Sequence, residues 1–126
     1  MEKNHSIPQS EWQVMELLWR HPRTLMQLVS ELQKSIGWSK STVTTLVRRM
    51  IEKELITFDT DGRTKIFRAA VSRDDVVARE TDSLLHKAYR GSLGLMLCSM
   101  VQHNDLTKKD IDELYAILKQ AEEDIK

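Results

Sequence analysis

A mainly α fold with one small β-hairpin is what this sequence of 126 residues predicts, and three observations carry the prediction. Apolar residues recur at helical spacing in three consecutive stretches before residue 53. The period then drops towards two on either side of an Asp-Gly pair. Beyond residue 72 the helical spacing returns and continues to the end.

Residues 1–9 are polar and closed off by Pro8. Ser10 is placed to N-cap the first helix, with Gln13 three residues later in capping-box position. Trp12, Met15, Leu18 and Trp19 then share one face, widened by Val14 and Leu17, until His21-Pro22 ends the helix. Thr24 can cap a second helix whose apolar set is Leu25, Leu28, Val29 and Leu32, and Gly37 suits the turn that follows. Ser39 opens a third helix, in which Val43, Leu46, Val47 and Met50 form an i, i+3, i+4, i+7 stripe. After Leu55, Ile56 and Phe58 alternate with Thr57 and Asp59, Thr60-Asp61-Gly62-Arg63 supplies a turn, and Thr64–Ala69 alternates again.

Ser72 caps a fourth helix, with Asp74 and Asp75 in the first turn where negative charge suits the helix dipole. It should run to about Arg90 and stop at Gly91. Residues 92–103 are apolar over more than one face, including Leu93, Leu95, Met96, Leu97, Met100 and Val101. Asp105 or Thr107 caps a last helix with Ile111, Leu114, Leu118, Ala121 and Ile125 at heptad-like spacing. Helix, helix, helix, strand, turn, strand is the order of a winged helix-turn-helix. The expected organisation is therefore a winged-helix DNA-binding domain over residues 1–71 and a helical dimerisation domain over residues 72–126.

Formal net charge is zero, but it is unevenly spread. Residues 1–72 hold 11 Lys and Arg against 8 Asp and Glu, while residues 73–126 hold 8 against 11. A basic reading head joined to an acidic assembly module fits this split.

The apolar stripe of the helix at 39–53 fixes which side meets the core. The other side presents Ser41, Thr44, Thr45 and Arg48, flanked by Lys40, Thr42 and Arg49. Ser41, Thr42, Thr44 and Thr45 are the candidates for base or groove contact, and Lys40, Arg48 and Arg49 mainly for phosphates. The Ser39 cap and the first amides of the helix also favour a phosphate oxygen. In the wing at 58–68, Arg63, Lys65 and Arg68 suit the flanking backbone, opposed by Asp59 and Asp61. The plain alternative for either element is a solvated surface with ordinary charges.

Other functions find little support. Cys98 is the single cysteine, which leaves no internal disulfide and reads as a small core residue. His5, His21, His86 and His103 have no spacing that forms a ligand set, so no metal or cofactor is expected. Trp12, Trp19 and Trp38 read as packing residues. No nucleophile and base pair, Gly-rich phosphate loop or paired-carboxylate motif stands out, which argues against an enzyme. No stretch has the length of a signal or membrane segment, so a cytoplasmic protein without membrane insertion is expected.

The chain resembles the penicillinase-repressor (BlaI/MecI/CopY) family, winged-helix repressors of bacterial antibiotic-resistance and copper operons. The resemblance rests on Ser10-Glu11-Trp12-Gln13-Val14-Met15 with Leu17-Leu18-Trp19, on Gly37-Trp38-Ser39 leading into Ser41-Thr42-Val43 and Thr45-Leu46, and on Lys53-Glu54-Leu55-Ile56. It continues through the Phe67 region, Ala88-Tyr89-Arg90-Gly91 and Leu106-Thr107 with Ile111 and Glu113-Leu114, and so covers about residues 7–120. It implies a homodimer on a palindromic operator in double-stranded DNA, with the C-terminal helices interlocking two subunits. For the resistance repressors it also implies inactivation by a membrane-bound sensor protease. Three departures stand out. Those repressors carry Asn-Phe at the cleavage point, where alignment through Leu97 and Val101 places Ser99-Met100. Copper-responsive members end in a cysteine cluster that this chain lacks. Thr44 stands where members often carry Lys or Arg.

Leu84, Leu85, Leu93, Leu97, Val101, Leu114, Leu118 and Ile125 exceed what one short appendage can hide from water. Pairing with a second copy is the simplest burial, and Leu84, Leu93, Leu97, Val101, Leu114 and Leu118 are its expected dimerisation residues. The leading expectation is a homodimeric transcriptional repressor of an antibiotic-resistance or related stress operon. A metal-responsive, copper-type repressor of the same family and a winged-helix protein-interaction module are the alternatives.

Overall fold

The computed structural model describes residues 7–125; the polar start with His5, and Lys126, lie outside them. The first helix, α1 (Gln9–Arg20), begins before Ser10. Pro8, held at φ −56° and ψ 150°, turns its carbonyl onto the amides of Glu11 and Trp12 at 2.9 and 3.1 Å. The expected Ser10 cap therefore does not form, because Ser10 already lies inside the first turn. His21 then extends the chain into β1 (Arg23–Thr24), a two-residue strand too short for any alternation to announce. Thr24 caps α2 (Leu25–Ser35) in a full capping box with Gln27. Gly37, at φ +89°, returns its amide to the Leu32 carbonyl and ends that helix.

Ser39 accepts a hydrogen bond from the Thr42 amide at 3.2 Å and starts α3 (Lys40–Glu52). Strands β2 (Ile56–Asp61) and β3 (Thr64–Ala69) pair antiparallel, with Phe58 opposite Phe67 and Asp61 opposite Thr64. The connecting loop is thus Gly62-Arg63, one residue later than an Asp-Gly loop, and Gly62 takes φ +66°. β1 adds to the far edge of β3, giving the order β1-β3-β2.

The chain divides into two compact units, residues 1–83 and 84–126. In the first, α1, α2, α3 and the sheet enclose a core that includes Met15, Leu28, Leu32, Val43, Met50, Ile56 and Phe67. The first half of α4 (Arg73–Tyr89) belongs to this unit. Val76 is buried, Glu80 accepts from the Ile7 amide at 2.7 Å, and Arg73 pairs with Glu16 at 3.3 Å. The hydrogen bond from Arg73 to Glu16, with the Glu16 charge behind it, raises the pKa of the guanidinium. The Trp19 indole N–H donates to the Val71 carbonyl at 2.9 Å and ties the exit of the hairpin to α1.

One charged residue is fully buried in this core. Glu11, at 0 % exposure, receives the Lys53 ammonium on both carboxylate oxygens at 3.0 and 2.8 Å. The pair fastens the start of α1 to the end of α3.

The second unit holds α5 (Leu93–His103) and α6 (Lys108–Ile125) after the end of α4. Ser92 caps α5. Of the two expected caps for α6, Thr107 takes the role, exchanging hydrogen bonds with Asp110 at 3.1 Å in both directions. No residue of α5 or α6 is buried within the single chain. Cys98 is exposed, contrary to its expected place in a core, because α5 carries apolar groups all round and lacks a covering layer on that side. Leu84, Leu93, Val101 and Leu118 are exposed as well, while Leu97 and Leu114 are half-buried.

Lys53→Met leaves the Glu11 carboxylate buried without its cation. The unfolding free energy in a urea titration is expected to fall by about 2–3 kcal/mol, somewhat below a fully enclosed pair because water reaches Lys53. Adding Glu11→Leu should recover most of that loss. A fall no larger than an exposed pair gives, about 0.5 kcal/mol, would show that this contact does not join α1 to α3.

Candidate nucleic-acid interface

With Val43, Leu46, Val47 and Met50 turned into the core, the remaining surface of α3 divides into two flanks. On one, Ser41, Thr42, Thr45 and Arg49 line a concavity of about 380 Å³ together with Ser10 and Trp38. On the other, Thr44 and Arg48 face Arg63 and Lys65 of the hairpin across a cleft of about 760 Å³. The residues singled out along 40–49 and 63–65 therefore gather around one exposed helix. Ser10 and Trp38 join the first group only through the fold. In sequence Ser10 has the signature of a cap and Trp38 that of a packing residue.

The hydroxyl groups differ in what they have left to offer. Thr42 is tied to the Ser39 cap through its amide and through a 3.1 Å contact between the two hydroxyls. Thr44 donates to the Lys40 carbonyl at 2.8 Å, which leaves its methyl group and oxygen lone pairs outward. Ser41 and Thr45 make no hydrogen bond through their hydroxyls among the described residues, so both groups are open to a ligand. Ser41 is exposed and Thr45 half-buried.

The cations divide in the same way. Lys40, Arg48, Arg49 and Arg63 are exposed, and none joins an ion pair among the described residues. Lys65 lies with its ammonium 4.6 Å from the centre of the Phe58 ring. Arg68 is held by Asp59 at 2.6 Å and is withdrawn from the outward set. Charge in the hairpin is thus neutralised at its base, while Arg63 stays unpaired at the tip. Among the described residues no three His, Cys, Asp or Glu side chains gather as a metal-holding group, and no helix is long and apolar enough to cross a membrane.

A family model described as penicillinase repressor matches residues 7–120. The penicillinase repressor of Bacillus licheniformis is 28% identical over 121 residues, spanning 95% of this chain and 94% of that protein. The methicillin resistance regulatory protein MecI of Staphylococcus aureus (strain N315) is 26% identical over 117 residues, spanning 92% and 95%. Among solved structures, the monomeric form of Bacillus licheniformis BlaI in complex with the blaP half-operator aligns with TM-score 0.52 at 28% identity. That alignment covers 60% of this chain and 93% of the other. These relatives are repressors and regulatory proteins, not enzymes. The match runs through the three helices, the hairpin and the helices after it, and the chain belongs to the penicillinase repressor family.

Proposed function

We propose that this chain is a homodimeric transcriptional repressor that occludes a promoter by reading a palindromic operator. The observation that carries the proposal is the outward side of α3. It exposes open hydroxyls at Ser41 and Thr45 beside unpaired cations at Lys40, Arg48 and Arg49, with Arg63 at the tip of the adjoining hairpin. A helix that spends no polar group on its own fold at these positions is suited to a groove lined with hydrogen-bonding edges and phosphates. Ser39, Thr42, Thr44 and Lys65 complete the interface, Ser39 and Thr42 through the helix start and Thr44 through its methyl group. The half-operator complex of a 28% identical relative supports the same use of the fold.

Pairing follows from two needs. One head with four unpaired cations on this face makes few phosphate contacts and binds in a salt-sensitive way. The second unit leaves Leu84, Leu93, Val101 and Leu118 exposed, with Leu97 and Leu114 partly so, and a second copy is the partner that covers them. A two-fold pair then selects a palindrome whose half-site spacing matches its two heads. The names of the relatives point to an antibiotic-resistance or related stress operon in the cytoplasm of a bacterium.

Release by a membrane-bound sensor protease would have to act near Ser99-Met100. That bond lies inside α5, and the Ser99 hydroxyl is engaged by the Tyr89 hydroxyl at 3.1 Å. Cleavage there requires α5 to open first, since a protease takes its substrate as an extended strand.

A duplex from the promoter upstream of its own gene tests the reading: fluorescence anisotropy should show binding that weakens steeply with salt. Binding to none of the promoters adjacent to its gene, at any salt, would sink it. Arg49→Ala should weaken the complex and lower the salt slope by about one unit, with folding and subunit state unchanged. A shift to monomer in that variant would show that Arg49 serves assembly instead. Leu118→Asp should sediment as a monomer and bind the duplex poorly, with the winged-helix unit still folded. A stable dimer after this change would place the interface elsewhere.

A further inference from the structure

The cleft between α2, α3 and the hairpin is built differently from the rest of the reading surface. Its floor is apolar and comes from three elements: Leu25 and Met26 of α2, Val47 and Ile51 of α3, and Phe67 of β3. Its rim carries Arg48, Arg63 and Lys65, with Glu52 as the one acid among the lining residues. The volume, about 760 Å³, falls within the range of small-molecule sites. A phosphate backbone satisfies the rim but gains nothing from the floor, since sugar and phosphate do not repay the burial of aliphatic and aromatic carbon. Met26 is 57% exposed at the mouth of the cleft, although it sits in the first turn of a helix whose other apolar residues are covered to a greater degree. An unbranched thioether at such a place can swing over a guest or away from it.

We propose that this cleft binds a small organic anion with an aromatic or branched apolar body, and that its occupancy excludes operator DNA. The apolar body fills the floor against Met26, Ile51 and Phe67, and the acid group meets the unpaired guanidinium groups of Arg48 and Arg63. Those two arginines and Thr44, which also lines the cleft, belong to the face proposed above to meet DNA, and the exclusion rests on that reading. Ligand and DNA compete for the same cations, so release needs no change of fold. The coupling is direct occlusion by a shared surface.

The test uses the full chain and 1-naphthoate as the probe, followed through backbone amide chemical shifts. Naphthoate should give saturable shifts centred on Thr44, Val47, Arg48, Ile51 and Arg63. It should raise the Kd for the promoter duplex in proportion to its concentration, while acetate at equal ionic strength does not. Met26→Ser should weaken naphthoate about tenfold with duplex affinity unchanged, since it removes apolar contact and leaves every charge in place. No shift at millimolar naphthoate, or shifts centred on α5 and α6, would overturn the site. A duplex complex that persists with the cleft saturated would overturn the exclusion. Localised naphthoate shifts in a chain that binds no duplex would keep the ligand site and overturn the operator reading.

Discussion

The rotational setting of α3 is the constraint on which the rest of the reading unit depends. Val43, Leu46, Val47 and Met50 are each no more than 5% exposed, and together they occupy one side of the helix. Fully burying side chains of this kind is worth about 1.5–3 kcal/mol each, so turning the helix by one residue would cost more than a small domain can lose. Once that side is committed, the positions of Ser41, Thr45, Arg48 and Arg49 follow from helical geometry alone. The Glu11–Lys53 contact acts on the same element from its end. A buried ion pair adds little net stability, but it tolerates only one geometry, and so it sets where α3 ends relative to α1.

The polar groups of the unit are sorted by whether the fold uses them. Arg23, Lys53, Arg68 and Arg73 all find carboxylates within the first unit. Arg23 also donates to the Leu17 carbonyl at 3.2 Å and stitches β1 to the end of α1. Of the cations without an ion pair among the described residues, Lys40, Arg48, Arg49 and Arg63 gather on the outer side of α3 and at the hairpin tip, while Arg20 and Lys34 stand singly at the ends of α1 and α2. Total charge in the segment says little about this division, because the mild excess of basic residues includes those already neutralised. The distribution of unpaired groups is what gives the surface a direction.

Much of this was legible in the sequence, because the main elements arise from periodicity and local capping. The stripes of the first three helices, the Thr24, Ser39 and Ser72 caps and the alternation around Gly62 are short-range signals, and the structure follows them closely. What escaped depends on competition or on distant contact. Ser10 has the chemistry of a cap, but Pro8 supplies a carbonyl in the right place two residues earlier. The hairpin loop is Gly62-Arg63, one residue later than Asp61-Gly62, because glycine, placed first in the loop, takes the positive φ itself. β1 exists only because β3 offers an edge. The same holds for the site. The α3 and hairpin residues were readable from pattern, whereas Ser10, Trp38 and Met26 reach the surface beside them through tertiary packing. Glu11 has the sequence position of a first-turn acid, and only its partner 42 residues away explains its burial.

The second unit shows the opposite balance. Its helices are regular, yet no residue of α5 or α6 is fully buried within the chain. Local propensity suffices to define these helices but not to give them a core, and helices of 11 and 18 residues are marginal in water without tertiary support. The proposed pairing with a second copy would supply the missing cover in a closed, symmetric assembly. If so, the folding of this unit and the pairing of the reading heads are one equilibrium. Any event that opens α5, including cleavage inside it, then removes both the partner and most of the affinity for DNA. An anion in the cleft beside α3 acts at the other end of that chain of dependence, since it occupies the cations without disturbing the pair. The two routes differ in reversibility: a cut helix is replaced only by new synthesis, whereas a bound anion leaves when its concentration falls.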